Sequence, residues 1–165
     1  HAFALMNNIF GGSMSSRLFQ NIREEKGLAY SVFSMNSSYS SDGCFIIYAG
    51  VGHDKIRDAL SGIEEELGML SREGVSSDEL SMAKEQMKSS YIFGQENVAS
   101  RMFANGKNLI LTGRIFTPDE VVDSIDKVSI EDMDIVKKLI CDPSAYTGVA
   151  VSNKRVDWKK IWKWQ

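Results

Sequence analysis

Histidine and cysteine are scarce, two of each in 165 residues. A zinc enzyme needs about three protein ligands brought together by short spacings. His1 and His53 form neither His-Glu-x-x-His nor its inverse, because His53 is followed by Asp54, Lys55, Ile56 and Arg57. The chain alone therefore has no recognisable zinc site, and His53 reads as a polar residue at a strand-to-helix junction beside the cap candidate Asp54. Cys44 and Cys141 stand far apart in the sequence. That excludes Cys-x-x-Cys and zinc-knuckle spacings and makes a reducing, cytoplasmic setting the default expectation. A basic surface is missing too, since 19 Lys and Arg face 22 Asp and Glu for a net charge of −3. Whole-protein binding to nucleic acid depends on such a surface, so it is not expected. No apolar run approaches the roughly 18 residues of a membrane span, and no basic segment leads an apolar one at the start. A Gly-x-Ser-x-Gly elbow, a Walker loop and a Gly-x-Gly-x-x-Gly turn are all absent, which removes the serine hydrolase, nucleotide hydrolase and dehydrogenase readings.

What is present is enough for a core. With 43% apolar residues, a chain of this size buries roughly 70% of the surface its unfolded form exposes. One soluble domain is expected over residues 1–152, followed by a basic, Trp-rich tail over 153–165. The chain opens at His1 inside an apolar helical pattern with no cap before it, and this reads as a piece of something longer. Ala2, Leu5, Met6 and Ile9 predict a buried helix, and Gly11-Gly12-Ser13 breaks it. Met14, Leu18 and Ile22 predict a second helix that stops at Gly27 in the left-handed conformation. Period-two alternation predicts a strand from Leu28 to Met35, and Cys44 to Val51 its hairpin partner. Ile56, Ala59, Leu60, Ile63, Leu67 and Leu70 then form one helical stripe, with Glu64, Glu65 and Glu66 largely off it.

The second half is mostly helical. Ser76 and Glu79 have capping-box spacing, and Thr117-Pro118-Asp119-Glu120 combines a cap, a first-position proline and a Glu. A helix is expected around Val98, Met102, Phe103 and Ile110 before Gly113, another after Ser129, and a last strand from Ala145 to Ser152. The expected order is α-α-β-β-α-α-α-α-α-β. It describes an α+β fold in which an antiparallel or mixed sheet is covered on one face by helices.

The informative stretch is Ile9-Phe10-Gly11-Gly12-Ser13-Met14-Ser15-Ser16-Arg17-Leu18-Phe19-Gln20-Asn21-Ile22-Arg23-Glu24-Glu25-Lys26-Gly27-Leu28-Ala29-Tyr30-Ser31-Val32. It resembles the second-half signature of the pitrilysin/insulinase zinc peptidases, the inverzincins. Gly43 to Gly50, the Glu-Gly-Val-Ser-Ser-Asp-Glu-Leu run at 73–80, Ser100-Arg101-Met102 and the Thr117 cap continue the likeness in order. The resemblance implies a half-domain of the processing-peptidase type that lacks its opening strand. It implies that zinc is held by an N-terminal half or partner subunit, not by this chain, and that the substrate is a peptide. A homo- or hetero-dimer is among the assemblies it allows.

The resemblance further implies that Arg23 and Tyr30, seven residues apart, reach the substrate and stabilise the oxyanion in trans to the zinc. Taken without it, Arg23 would pair with Glu24, Glu25 or a neighbouring helix, and Tyr30 would be a half-buried strand residue. Arg17 reads as a packing clamp. The alternative function is a non-catalytic scaffold or substrate-presenting subunit of a processing-peptidase-like complex, as in relatives that have lost zinc. Lys154, Arg155, Lys159, Lys160 and Lys163, interleaved with Trp158, Ile161, Trp162 and Trp164, read as a docking tail, with a membrane surface as the second reading.

Overall fold

In the computed structural model the described residues are 1–39, 41–157 and 161. Helix α1, Ala2–Asn7, runs directly into a π-helical turn, Asn8–Gly12. The apolar pattern predicted as one helix through Ile9 thus keeps its burial but widens its pitch. Leu5, Met6, Ile9 and Phe10 are all buried. A Cβ on Gly11 would stand 2.5 Å from the Ser34 backbone nitrogen, so a residue without a side chain lets this turn touch the sheet. Ser34 Oγ then donates to Asn7 Oδ1 at 2.9 Å, joining the same two segments.

The second helical stretch is π-helical as well, over Phe19–Glu25. Its last N–H, from Lys26, reaches back five residues to the Asn21 carbonyl at 3.2 Å. Gly27 follows with φ +56°, the left-handed conformation expected of it. Strands β1, Ser31–Ser38, and β2, Gly43–Gly50, pair antiparallel, with Ser31 opposite Gly50 and Ser38 opposite Gly43. β1 starts later than the predicted Leu28 and absorbs part of the serine-rich connection, because β2 offers ladder partners as far as Gly43. Val32 and Ser34 are buried on one face, where Phe45, Ile47 and Ala49 also pack on the core. On the open face the Phe33 ring stacks on Tyr48 with centroids 4.9 Å apart.

After a short 3-10 turn at His53–Lys55 come α2 (Ile56–Glu73), α3 (Ser77–Gln95), α4 (Val98–Thr112), α5 (Pro118–Asp126) and α6 (Ile130–Ile140). Reciprocal capping boxes form at Ser76/Glu79, Thr117/Glu120 and Ser129/Asp132, and each such cap contributes about 1 kcal/mol. α1 is the hub, touching β1, α3 and α6, while α2 lies against the second π segment and α6. The result is an α+β arrangement with helices on one face of an antiparallel pair.

The predicted strand from Ala145 to Ser152 does not form. A 3-10 turn at Pro143–Ala145 is followed by irregular backbone with Val149 and Val151 exposed. Among the described residues no strand lies beside this segment, and an unpaired strand leaves its N–H and C=O groups without ladder partners. The docking predicted for the tail falls largely on residues outside those described. No described helix is long and apolar enough to cross a membrane.

Candidate functional site

Arg23 sits in the second π segment and Tyr30 immediately before β1, on either side of the Gly27 turn. The Leu28 N–H donates to the Ile22 carbonyl at 2.9 Å, the Tyr30 N–H to the Gly50 carbonyl at 3.0 Å, and Lys55 Nζ to the Gly27 carbonyl at 2.9 Å. The connecting loop is therefore tied to the π segment, to β2 and to the start of α2. Backbone position is fixed while the Tyr30 side chain stands in solvent. Tyr30 is 88% exposed, and its hydroxyl has no partner among the described residues. That removes the half-buried strand reading. Arg23 lies 4.8 Å above the Phe19 ring, and its Nε is 3.7 Å from Glu24 Oε1 with the Arg23 side chain 42% exposed. An exposed pair at that distance contributes little. No hydrogen bond joins Arg23 to Tyr30, which stand on either side of the Gly27 turn.

Two anchors hold the π segment in place. Arg17 grips Glu79 with two bonds of 2.7 and 2.8 Å and donates a third to the Gly74 carbonyl at 2.8 Å. It is the clamp its sequence context suggested. Burial pushes the Glu79 carboxyl up, yet the Arg17 bond and the Ser76 N–H outweigh it and hold the group below the usual carboxylate range. The other anchor was not expected from the sequence. Glu66, expected off the apolar stripe, is 1% exposed and accepts from Asn21 Nδ2 at 2.6 Å. Its Oε2 has no hydrogen-bond partner among the described residues. The signal was available: Ala59, Gly62, Ile63, Glu66, Leu67 and Leu70 form one i, i+3, i+4, i+7 stripe. Gly62 belongs to it because a Cβ there would meet Ile22 Cδ1 at 2.6 Å.

Burial pushes the Glu66 carboxyl above its ordinary value, against the Asn21 bond and the Arg17 and Lys26 charges that favour the anion. The folded state therefore holds that proton more tightly than the unfolded chain. Glu66 costs stability as pH rises through its folded value. Glu66→Gln keeps an acceptor for Asn21 and removes the charge. Melting temperatures measured from acid to neutral pH should show the variant gaining on the parent as pH rises; a gap that does not change with pH would contradict this account.

Among the described residues no group of three His, Cys, Asp or Glu is placed to hold a metal ion. His53 is exposed, with its Nδ1 3.4 Å from Ser152 Oγ. This donor set does not fit a zinc centre. Cys141, whose thiol is pushed up to about 11 by burial, meets the Leu67 carbonyl at 3.6 Å, and burial of this kind keeps a thiol protonated.

Residues 1–87 match the family described as the peptidase M16 inactive domain, and the chain belongs to this family. A Bacillus subtilis (strain 168) protein named "Uncharacterized zinc protease YmxG" is 46% identical over 127 residues, covering 77% of this chain and 31% of the relative. A conserved protein from Enterococcus faecalis V583 matches in structure with a TM-score of 0.71 and 26% identity, over 83% of this chain and 32% of that one. The peptidase M16 inactive domain from Pseudomonas fluorescens matches with a TM-score of 0.68 at 20% identity, over 85% of this chain and 33% of that one. The chain spans about a third of the length of these relatives. The resemblance read from residues 9–32 is thus the correct family.

Proposed function

We propose that this chain is the substrate-binding half of a zinc metalloendopeptidase that hydrolyses peptides, inactive without the half that carries the zinc. Residues 1–152 form the substrate-binding domain and 153–165 a docking tail. The zinc half supplies the metal and the water it activates. The part taken by this chain is electrostatic. As a peptide carbonyl is attacked, its oxygen gains negative charge, and the Arg23 guanidinium and Tyr30 phenol donate to it. The observation that carries this reading is the Tyr30 side chain standing in solvent just after the tied Gly27 turn, with Arg23 on the π segment just before it.

A scaffold has no oxyanion to stabilise and no need to leave a tyrosine hydroxyl in water, so the scaffold alternative is weaker. The two free cysteines, Cys44 exposed and Cys141 partly buried, accord with a reducing, cytoplasmic setting. The test is hydrolysis of an unstructured peptide by the full-length polypeptide, before and after metal chelation. Cleavage that disappears with the chelator and returns with zinc is expected. A polypeptide that binds zinc and leaves the peptide intact would favour the scaffold.

A further inference from the structure

Helix α4 faces the wrong way for a helix that belongs only to this domain. It is fully formed, capped by the Asn97 side chain on the Ser100 N–H and ended by Gly113 in the left-handed conformation. None of its 15 residues is buried. At 3.6 residues per turn, Val98, Met102, Leu109, Ile110 and Phe103 fall on one arc of about 140°. Ile110 is 84% exposed and Phe103 71%. The half-buried positions in the body of the helix are instead Asn105 and Asn108. Gly106, in the middle of the apolar arc, has nothing within 4 Å of where a Cβ would stand. A helix of this length is marginal in water and takes its stability from packing an apolar face. Among the described residues nothing covers that face.

We propose that the apolar face of α4 is the seat for the other half of its own polypeptide, which meets it with an apolar surface edged by carboxylates. This rests on the reading of the chain as one half of a longer protein. Relatives about three times the matched length supply the chain to cover it, since this sequence spans 31% of the Bacillus relative. Charge indicates the chemistry of the partner: no Asp or Glu occurs from Asn97 to Phe116, while Arg101 and Lys107 flank the arc. A second copy would pair this patch with itself across a two-fold axis and set basic against basic. A membrane surface recognised by charge takes a cluster of about four to eight cations, and α4 has two.

The test uses the full-length polypeptide with Ile110→Cys, reacted with a water-soluble maleimide and read at the α4 peptide by mass spectrometry. Phe103→Cys, two turns earlier on the same side of the arc, serves where the first variant misfolds. Labelling is expected to be at least about tenfold slower than at the same cysteine in urea, because a covered site reacts only when it opens. The rate should not depend on protein concentration or on added phosphatidylglycerol vesicles. Labelling as fast as in urea would overturn the proposal, as would protection that appears only at high concentration or only with vesicles. A native polypeptide no longer than this chain would sink the two-half reading itself. Rapid labelling in a longer one sinks the α4 seat alone, and loss or retention of peptide cleavage bears on neither.

Discussion

Arg23→Ala in the full-length polypeptide is expected to lower kcat for peptide cleavage by about 10²–10³-fold while leaving the melting temperature unchanged, since that is the cost of removing one oxyanion donor. The stability half of this expectation follows from the surroundings of the side chain. The Arg23 interactions among the described residues are with the Phe19 ring and a carboxylate 3.7 Å away, each worth at most about 1 kcal/mol in water. Tyr30→Phe removes a single hydroxyl that has no hydrogen-bond partner among the described residues, so it should share the kinetic loss without any stability loss. KM should move little in both variants, because the interaction strengthens only as charge develops on the oxygen. Turnover equal to the parent in Arg23→Ala would remove it from the site.

Phe10→Ala should show the opposite pattern, a large loss of stability from a residue that touches no substrate. Phe10 is fully buried in the first π turn, and its ring centroid lies 6.0 Å from that of Phe45, which in turn meets Phe3 edge-on at 6.1 Å. Truncation empties the contact between the first π turn and the sheet. Neighbouring Gly11 already sits against the Ser34 backbone, so the turn has little freedom to collapse into the cavity. Losses for such Phe→Ala changes run to about 3–5 kcal/mol, or roughly 10 °C in melting temperature for a domain of this size. Thermal unfolding followed by circular dichroism checks it. A drop of only a degree or two would mean that the site repacks.

The elements that were legible in advance share a property: their causes lie within a few residues. The Ser76 and Thr117 capping boxes, the helix start at Ser129 and the Gly27 turn depend on neighbours close along the chain and stand where the sequence placed them, and the hairpin forms with its first strand shifted toward the turn. The Arg23 and Tyr30 pair came from resemblance. Its exposure could not have been read from periodicity, which puts Tyr30 in phase with buried Val32. Arg17 and Glu79 are separated by 62 positions and Asn21 and Glu66 by 45. No local pattern links either pair, although the helical stripe did contain Glu66.

The sequence by itself determined the family, the order of helices, the hairpin and the ends of the capped helices, because hydrogen bonds between near neighbours decide those features before any long-range packing. Only the tertiary structure decided the rest. It buried a glutamate on Asn21, widened two helical turns where Gly11 meets Ser34 and where Arg23 stands, left residues 146–152 without a strand, and turned the apolar face of α4 outward. Each of those outcomes depends on what lies across the chain in space, and burial, ladder pairing and cover are properties of such neighbours.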